Sequence, residues 1–438
     1  MTAADPSRPA AERILALVAP LTNYERTRSD RPRWSLANIR ALLRRPGATR
    51  PSAKAVQVGG SKGKGTTALY VAALGRALGL RTGVYLSPHV DDVTERVQVD
   101  GRSPAVLVDV VAEVVAFAER AQLPAVSFFE VMTAAAVECF AREGVGLAVY
   151  EVGLGGRLDA TTAIGVDLSI VTNVELEHTE LLGDTEVAIA GEKAHVVRRA
   201  TPAITGATGD ALAVIAARAR AVSAPLRVLG HDLVVEAEAV GARGFAGTIV
   251  DRGERLPFAL PEAAGFELPA LAMAVAALRT LHPELGPALG AALTPVRFRP
   301  PLPARFERVV RAEGVYFIDA AHTEGSLRAT AAEAARAAPG HRFAVLFASA
   351  AGKRWQLGLS QLAPIVDTLY VTTLEGTASE SPDAICACAR GLGLAAHAVA
   401  DSASGLDALR RHPGPWLVTG SFYLAGQARR LLGVDVRA

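Results

Sequence analysis

The chain has 438 residues, half of them hydrophobic, which is enough to bury a large core and favours two or three domains over one. Its 46 Lys and Arg residues nearly balance 44 Asp and Glu, so the formal net charge of +2 argues against a nucleic-acid partner and an acidic tail. Three cysteines exclude a disulfide framework. The polar start and the lack of a long apolar segment predict a cytoplasmic protein with no membrane partner.

Strand and helix patterns alternate along the first part of the chain. An apolar run at 54–59 predicts a buried strand, a glycine-rich turn follows, and the periodicity of 66–78 predicts a helix. Further strands are predicted at 82–86, 147–152 and 168–173, and further helices at 34–45, 103–121, 128–142 and 185–199. Such alternation predicts a parallel sheet with helices on both faces.

The second part of the chain changes character twice. Residues 226–260 carry short strand-like runs between glycine turns and predict a small β appendage. Four prolines in 294–303 mark a domain boundary. Beyond it, strands are predicted at 314–319, 343–347, 368–372 and 416–419. We therefore expect an α/β domain over 1–296, a Pro-rich linker at 297–303 and a Rossmann-like α/β domain over 304–438.

A glycine-rich segment stands between the first predicted strand and helix. Its residues are Gly60, Ser61, Lys62, Gly63, Lys64, Gly65, Thr66 and Thr67. They fit the Gly-x-x-Gly-Lys-x-Thr core of a nucleotide phosphate loop, in which glycines let the backbone wrap around phosphate oxygens. Lys64 would neutralise the β- and γ-phosphates, and Thr66 would reach Mg²⁺. The segment predicts a P-loop ATPase-like domain that binds ATP or GTP, and a simple glycine-rich turn is the alternative.

Potential metal ligands follow three of the predicted strands. Ser87, Glu151 and His178 fall at or just beyond strand ends, where open α/β sheets place their ligands. Glu151 and Ser87 offer hard oxygens suited to Mg²⁺, and His178 offers an imidazole for a second ion. Each also has a simpler interpretation, as a solvated carboxylate, a turn residue or a structural histidine.

Lysine is scarce in this chain. Only five of the basic residues are lysines, at positions 54, 62, 64, 193 and 353, and the rest are arginines. Because a compact amine and a planar guanidinium are not interchangeable, a retained lysine indicates that an amine is needed. Lys193 stands beside Glu192, so a plain salt bridge is the alternative interpretation.

At least six ordered blocks of the chain, spread over about residues 55 to 427, resemble the folylpolyglutamate synthase/dihydrofolate synthase family of the Mur ligase superfamily. The blocks are 59–67, Ser87–His89 with Glu95 and Arg96, Ser127–Glu130, Glu151–Thr162 (EVGLGGRLDATT), Glu177–Asp184 with Glu192–Ala194, Asp319–His322 and Val418–Gly426. The block Glu151–Thr162 is nearly the signature of that family.

The resemblance implies a role for each matching residue. It implies Mg²⁺ ligation by Thr66, Ser87, Glu151 and His178, and a carbamylated Lys193 as a further metal ligand. It implies nucleotide contacts from the phosphate loop and from Arg305, Asp319 and His322. It implies folate or pterin contacts from Ser127, Phe128, Phe129, Glu130, Leu158, Asp159 and Ala160. Lys64, Lys193 and His178 would be the catalytic residues.

The activity implied by the resemblance is an ATP-dependent ligation. A folate or pteroate carboxylate would take the γ-phosphate of ATP, and the amine of L-glutamate would displace phosphate from the acyl phosphate, with two Mg²⁺ ions assisting. Because Arg305 and Asp319 follow the linker while the phosphate loop precedes it, ATP is expected to be clamped between the domains by closure about Pro300–Pro303. A monomer is expected.

The chain departs from the family pattern at several positions. Ser61-Lys62 replaces Thr-Asn, and Thr323-Glu324 replaces Asn-Pro. Phe266, Glu267 and Ala270 stand where the family has His-Gln and a base-contacting Asn. These departures leave open a Mur-type ligase for another carboxylate and amino acid, and a non-catalytic nucleotide-binding relative. They also leave open whether dihydropteroate, folate polyglutamates or both are extended.

Overall fold

The computed structural model describes residues 7–23, 35–294 and 298–434, and the chain divides into two compact units. The first unit holds the chain up to Glu238 together with Ala246–Pro261 and Phe266–Pro300. The second holds Ala239–Phe245, Glu262–Gly265 and the chain from Pro301 onward. The roles expected for 1–296, 297–303 and 304–438 stay predictions, and residues 295–297 and Trp34 of the predicted first helix lie outside the described residues.

A mainly parallel sheet of seven strands is the centre of the first unit. Its strands are β1 (Lys54–Gly59), β2 (Thr82–Tyr85), β3 (Val97–Val99), β4 (Leu147–Glu151), β5 (Leu168–Val171), β6 (Ala203–Thr205) and β7 (Leu226–Val228). Their order is β3-β2-β4-β1-β5-β6-β7, and only the edge strand β3 runs antiparallel to its neighbour. The carboxyl ends of β1, β2, β4 and β5 therefore meet at one edge of the sheet.

Helices cover the sheet of the first unit, and a smaller sheet follows it. The helices are α1 (Ala10–Val18), α2 (Ala37–Leu43), α3 (Lys64–Ala77), α4 (Leu107–Arg120), α5 (Phe128–Arg142), α6 (Thr179–Leu182), α7 (Glu186–Lys193), α8 (Gly209–Ala221), α9 (Glu267–Leu281) and α10 (Gly286–Ala292). The smaller sheet contains β8 (Leu233–Val240), β9 (Gly244–Asp251) and β10 (Glu254–Leu260).

The second unit is built on a six-stranded sheet. Its strands are β11 (Glu307–Arg311), β12 (Gly314–Ile318), β13 (Phe343–Phe347), β14 (Val366–Val371), β15 (Ala395–Ala398) and β16 (Trp416–Thr419). Its helices are α11 (Glu324–Ala337), α12 (Trp355–Leu362), α13 (Pro382–Gly391), α14 (Ser402–Arg410) and α15 (Phe422–Leu431). The order is β11-β12-β16-β13-β14-β15, and only β11 is antiparallel to its neighbour.

The predicted fold class is confirmed: both units are α/β, and the chain also forms a small three-stranded sheet besides the two larger ones. Short 3₁₀ helices cover Val93–Arg96, Ala160–Ala163, Ala194–Val196, Pro283–Leu285 and Ala363–Ile365. None of the helices in the described part of the chain is long and apolar enough to span a membrane.

The helix predicted at 185–199 is shorter in the structure. It ends at Lys193, a 3₁₀ turn follows, and Val197 is extended with φ −74° and ψ 118°. The hydroxyl of Ser169 on β5 donates to the carbonyl of Val196 at 2.7 Å, and Val196 packs on Gly59. These tertiary contacts end the helix earlier than its local sequence predicts.

A buried carboxylate connects the helix after β1 to segments of the first unit that are distant in sequence. Glu267, at the start of α9, is fully buried and accepts a 2.6 Å hydrogen bond from the hydroxyl of Tyr70 on α3. Arg299 donates to both oxygens of the same carboxylate, at 2.8 and 2.9 Å. A carboxylate with this many donors is stable inside a protein, whereas one deprived of a partner is costly.

We predict that G83A destabilises the first unit. A Cβ on Gly83 would lie 2.7 Å from a ring carbon of the buried Phe140, so one of the two must move. We expect a loss of about 1–3 kcal/mol in the free energy of unfolding, measured by denaturant titration. The matched control is G146A, whose Cβ would lie 3.7 Å from its nearest neighbour. Equal stability of the two variants would contradict the prediction.

Candidate active site

The predicted phosphate loop connects β1 to α3. Gly60 has φ +133°, and a Cβ there would lie 2.0 Å from the hydroxyl oxygen of Thr172. Gly63, the residue before α3, has φ +76°. Both positions therefore require glycine, and the chain enters α3 with the unpaired amides of the first helical turn at the carboxyl edge of the sheet. Such a helix start attracts anions, phosphate above all.

The loop is held in place by the segment that follows β5. The amide of Ser61 donates to the carbonyl of Asn173 at 3.0 Å, and the amide of Lys62 donates to the Asn173 side-chain oxygen at 2.7 Å. The hydroxyl of Thr172 donates in turn to the carbonyl of Lys62 at 2.6 Å. The first half of the loop is thus positioned by protein hydrogen bonds, and the second half forms the helix start.

One buried carboxylate forms ion pairs with two of the lysines near the loop. Oε1 of Glu177 accepts a 2.8 Å hydrogen bond from Nζ of Lys193, and Oε2 accepts one from Nζ of Lys62 at 3.1 Å. Nζ of Lys193 also donates to the carbonyl of Gly60 at 2.8 Å. The side chains of Lys193 and Glu177 are 2% and 7% exposed, so this ion pair is shielded from solvent.

The charge states of this cluster follow from burial and from the neighbouring lysines. Burial alone would raise the pKa of Glu177, but the charges of Lys64, Lys193 and Lys62 hold the pKa well below its usual range. Burial lowers the pKa of Lys193 to about 8, although Glu177 opposes that shift. Glu177 is therefore an anion at neutral pH, and Lys193 is an amine that loses its proton more easily than an exposed lysine.

The sequence neighbour of Lys193 has a different partner. Glu192 forms an ion pair with Arg157, which belongs to the Glu151–Thr162 segment. The carbonyl oxygens of Glu192 and Lys193 lie close to Gly156, where an added Cβ would be 3.0 and 3.1 Å away. The salt bridge considered for Lys193 does exist, but its acid is Glu177.

Two of the predicted metal ligands lie together at the end of the sheet. Glu151, the last residue of β4, accepts a 2.8 Å hydrogen bond from the amide of Ser87. A Cβ added to Gly65 would lie 3.4 Å from both carboxylate oxygens of Glu151, so this carboxylate faces the phosphate loop next to Thr66. One carboxylate and two hydroxyls beside a phosphate site are the donors that Mg²⁺ takes, because it keeps several waters and binds phosphate oxygens.

His178, the residue before α6, has a left-handed backbone, with φ 47° and ψ 40°. Its Nδ1 lies 4.0 Å from Oε1 of Glu180, and its side chain is 37% exposed. Across residues 7–23, 35–294 and 298–434, no three His, Cys, Asp or Glu side chains group tightly enough to hold a metal. The donors present fit a Mg²⁺ that shares its ligands with phosphate, and the role of His178 stays a prediction.

The predicted substrate residues form two groups that meet at Phe129. Ser127 caps α5 through a capping box, in which its amide donates to Glu130 at 2.9 Å and its hydroxyl oxygen accepts from the Glu130 amide at 3.2 Å. Phe128 is buried. The ring of Phe129 packs against Gly153, where a Cβ would be 2.7 Å from it. Helix α5 and the loop after β4 are therefore adjacent.

Asp159 stabilises the loop after β4 through hydrogen bonds to its backbone amides. Its Oδ2 accepts hydrogen bonds from the amides of Gly153 and Leu154, both at 3.0 Å, and its Oδ1 accepts one from the amide of Thr161 at 3.0 Å. Burial raises its pKa despite these bonds. Leu158 beside it is 43% exposed and Ala160 is buried. Of these three, Leu158 has the side chain most open to a ligand, and the substrate roles stay predictions.

The second unit brings Arg305, Asp319 and His322 together. Oδ2 of Asp319 accepts a 2.6 Å hydrogen bond from the amide of Phe306, next to Arg305. Burial raises the pKa of Asp319, and the charge of Arg305 opposes that shift. Nδ1 of His322 lies 2.9 Å from the carbonyl of Ala320. The carboxylate of Asp319 is thus occupied by the backbone of its own unit, and the nucleotide contacts expected of these residues stay predictions.

Sequence reasoning assigned no role to Glu177, Asn173 or Thr172. Glu177 stands in a recognised block, but its link to Lys62 and Lys193 depends on how β1, β5 and α7 pack. One signal was available: three of the five lysines of the chain, at positions 62, 64 and 193, fall in blocks assigned to one site, and a buried amine requires an acid.

The C-terminal part of the chain matches a known protein family. The family model described as Mur ligase, glutamate ligase domain, matches residues 304–421. A relative from Mycobacterium tuberculosis, named dihydrofolate synthase/folylpolyglutamate synthase, is 33% identical over 370 residues, which cover 77% of this chain and 74% of that protein. The chain belongs to the folylpolyglutamate synthase/dihydrofolate synthase family.

A second relative is much longer than this chain. The Haloferax volcanii protein named "probable bifunctional folylpolyglutamate synthase/dihydropteroate synthase" is 39% identical over 297 residues, which cover 65% of this chain. The chain spans only 34% of the length of that relative.

Solved structures of the family share the fold of this member over nearly its full length. A folylpolyglutamate synthase from M. tuberculosis, complexed with ADP and AMPPCP, has a TM-score of 0.85 and 28% identity, and covers 97% of this chain and 99% of its own. A bifunctional enzyme from Yersinia pestis, complexed with AMPPNP and a Mn ion, has a TM-score of 0.81 and 25% identity, and covers 99% and 100%. The predicted family is confirmed.

We predict that the two lysines of the phosphate loop differ in nucleotide binding. K64M should weaken binding of AMPPCP with Mg²⁺ by about tenfold to a hundredfold, because a charged hydrogen bond to phosphate is lost. K62M should change the affinity by less than about threefold, because its amine is paired with Glu177. Isothermal titration calorimetry measures both. A K62M defect as large as that of K64M would mean that Lys62 leaves Glu177 to bind phosphate.

Proposed function

We propose that this protein is an ATP-dependent ligase that joins L-glutamate to a folate-type carboxylate through an acyl phosphate. Its acceptor would be dihydropteroate, a reduced folate, or both, as the names of its relatives suggest. The protein would work in the cytoplasm as a monomer, with small molecules as its only partners.

The observation that carries the proposal is the arrangement around the phosphate loop. The start of α3 and the amine of Lys64 offer positive charge at the carboxyl edge of the sheet, and the carboxylate of Glu151 lies against Gly65. Phosphate and a divalent cation need this combination of donors and acceptors side by side. The substrate group around Phe129 adjoins the loop that follows Glu151.

In the first step, a carboxylate oxygen of the folate-type acid attacks the γ-phosphorus of ATP. A new O–P bond forms, the bond to the bridging oxygen breaks, and ADP leaves with that electron pair. Lys64 and the amides of α3 hold the phosphates and stabilise the charge that spreads over the transferring group. Because the loop is fixed by Thr172 and Asn173, these donors are oriented before the substrate arrives.

In the second step, the α-amino group of glutamate attacks the acyl carbon. A C–N bond forms, the C–O bond to phosphate breaks, and the nitrogen releases a proton as the amide appears. The protein contributes by holding both reactants, and no covalent bond to the enzyme is needed. The glutamate ligase domain matched at 304–421 is where we expect the amino acid to bind.

Mg²⁺ would be held by Thr66, Ser87, Glu151 and His178, and when bound it supplies charge neutralisation on the phosphates. The solved Y. pestis complex contains a Mn ion, which supports a divalent metal here. We further propose that Lys193 is carbamylated: its neutral amine attacks CO₂, a C–N bond forms, a C=O π bond becomes a C–O⁻ group, and a proton leaves the nitrogen. The product is a carboxylate-like oxygen donor.

The test of the proposed function is a ligation assay with single omissions. Purified protein, Mg·ATP and glutamate are mixed with dihydropteroate or with a reduced folate monoglutamate, and ADP release and product mass are followed. We expect acceptor-dependent ADP release and a product heavier by one glutamyl residue. The K64M variant should lose at least about tenfold in turnover, because its phosphate contact is gone.

Other outcomes of this assay point to the other readings of the chain. Turnover with a different carboxylate or amino acid would keep the ligase chemistry and change the substrate. The absence of acceptor-dependent turnover, with nucleotide still bound, would replace the proposal with a non-catalytic nucleotide-binding protein.

We predict that ¹³CO₂ labels Lys193 in a pH-dependent way. Only the neutral amine reacts, and burial sets the pKa of Lys193 at about 8, so at constant dissolved CO₂ the label should increase as the pH rises through that value. A ¹³C carbamate resonance measures it. K193R should abolish the signal, and K54R, which removes a half-exposed lysine, should leave it unchanged. Labelling that persists in K193R would assign the carbamate elsewhere.

A further inference from the structure

Three segments of the second unit meet at the carboxyl ends of β12 and β16, which are adjacent parallel strands. The amide of Ala320 donates to the carbonyl of Ala304 at 2.9 Å, and the amide of Gly420 donates to the carbonyl of Ala321 at 2.9 Å. The chain around residue 305, the loop after β12 and the start of α15 are therefore held together.

The backbone on both sides of Arg305 is strained. Ala304 has φ 54° and Phe306 has φ 49°, the left-handed region that residues other than glycine rarely adopt. Asp319 stabilises this conformation by accepting the amide of Phe306. Strained backbone that a buried carboxylate stabilises is typical of functional sites. The position of Arg305 is therefore fixed by specific contacts.

The guanidinium of Arg305 lies over an aromatic ring, and its Nη1 also donates to the carbonyls of Pro303 and Ala304 at 3.4 and 3.3 Å. Its Cζ lies 4.8 Å from the ring centroid of Phe422, the first residue of α15. The ring centroids of Phe422 and His322 are 5.7 Å apart, with an angle of 55° between the ring planes. Phe422 therefore contacts two of the residues expected at the nucleotide, although it is not itself a polar or charged group.

We propose that Phe422 is a positioning residue, which holds the Arg305 guanidinium over its ring and thereby orients it toward the nucleotide. The inference rests on the proposed function and on the nucleotide contact that the family resemblance implies for Arg305. The face of an aromatic ring is the negative part of its quadrupole, so it attracts a guanidinium and restricts where that group can lie. An aliphatic side chain of similar size would fill the space without this attraction.

The inference is tested by a double-mutant cycle on nucleotide binding. The dissociation constant of AMPPCP with Mg²⁺ is measured for the wild type, F422L, R305A and F422L/R305A. F422L should weaken binding by about threefold to tenfold. In the R305A background F422L should have no further effect, because the group it positions is absent. Equal effects of F422L in both backgrounds would overturn the proposal.

A second variant separates ring electrostatics from packing. Pentafluorophenylalanine in place of Phe422 keeps the shape of the ring but reverses its quadrupole, so it should weaken binding as F422L does, while F422Y should bind nearly as the wild type does. Pentafluorophenylalanine in place of Phe343, whose ring lies 5.9 Å from Phe317, is the matched control and should have no effect. Wild-type affinity with the fluorinated Phe422 would overturn the proposal.

Failure of this inference can be told from failure of the proposed function. The cycle measures nucleotide binding alone, so a protein without ligase activity still reports the coupling of Phe422 to Arg305. If R305A binds AMPPCP as the wild type does, Arg305 is not a nucleotide contact and Phe422 has no such group to position. In an active enzyme, a positioning role should also raise the KM for ATP more than it lowers kcat.

Discussion

The arrangement of lysines around the phosphate loop of the first unit depends on the carboxylate of Glu177. While Lys193 is unmodified, this carboxylate pairs with both Lys193 and Lys62, and the Lys193 amine also donates to the carbonyl of Gly60 at the start of the phosphate loop. Without this acid, the buried amine of Lys193 would lack its counterion close to Lys62 and Lys64. The positive charge beside the phosphate loop is therefore partly balanced by one buried acid.

The phosphate loop and many elements could be predicted from sequence because their signals are local. Strand β1 has the predicted bounds, and Gly60 and Gly63 of the loop are required by their own backbone angles. The partner of Lys193 could not be predicted, because the adjacent Glu192 pairs with Arg157 and the true acid comes from the loop after β5. Likewise, the early end of α7 depends on Ser169, which is distant in sequence.

The second unit shows the same limit for its expected nucleotide residues. The family resemblance implied nucleotide contacts from Arg305, Asp319 and His322, and the structure places these three residues near one another. The resemblance did not indicate that Asp319 stabilises a strained backbone by accepting the amide of Phe306, or that the ring of Phe422 contacts the Arg305 guanidinium. Neither the left-handed angles at Ala304 and Phe306 nor a ring contact across segments leaves a pattern in the sequence.

The Tyr70–Glu267–Arg299 cluster restricts how this chain can diverge. Glu267 occupies a position where the family has an amide, and its carboxylate bonds to both a phenol and a guanidinium. Replacing Glu267 by an amide in one step would leave Arg299 without its counterion, and changing Arg299 first would leave a buried carboxylate without its cation. An evolutionary path, or a chimera that exchanges α3 with a relative, would have to carry all three residues together.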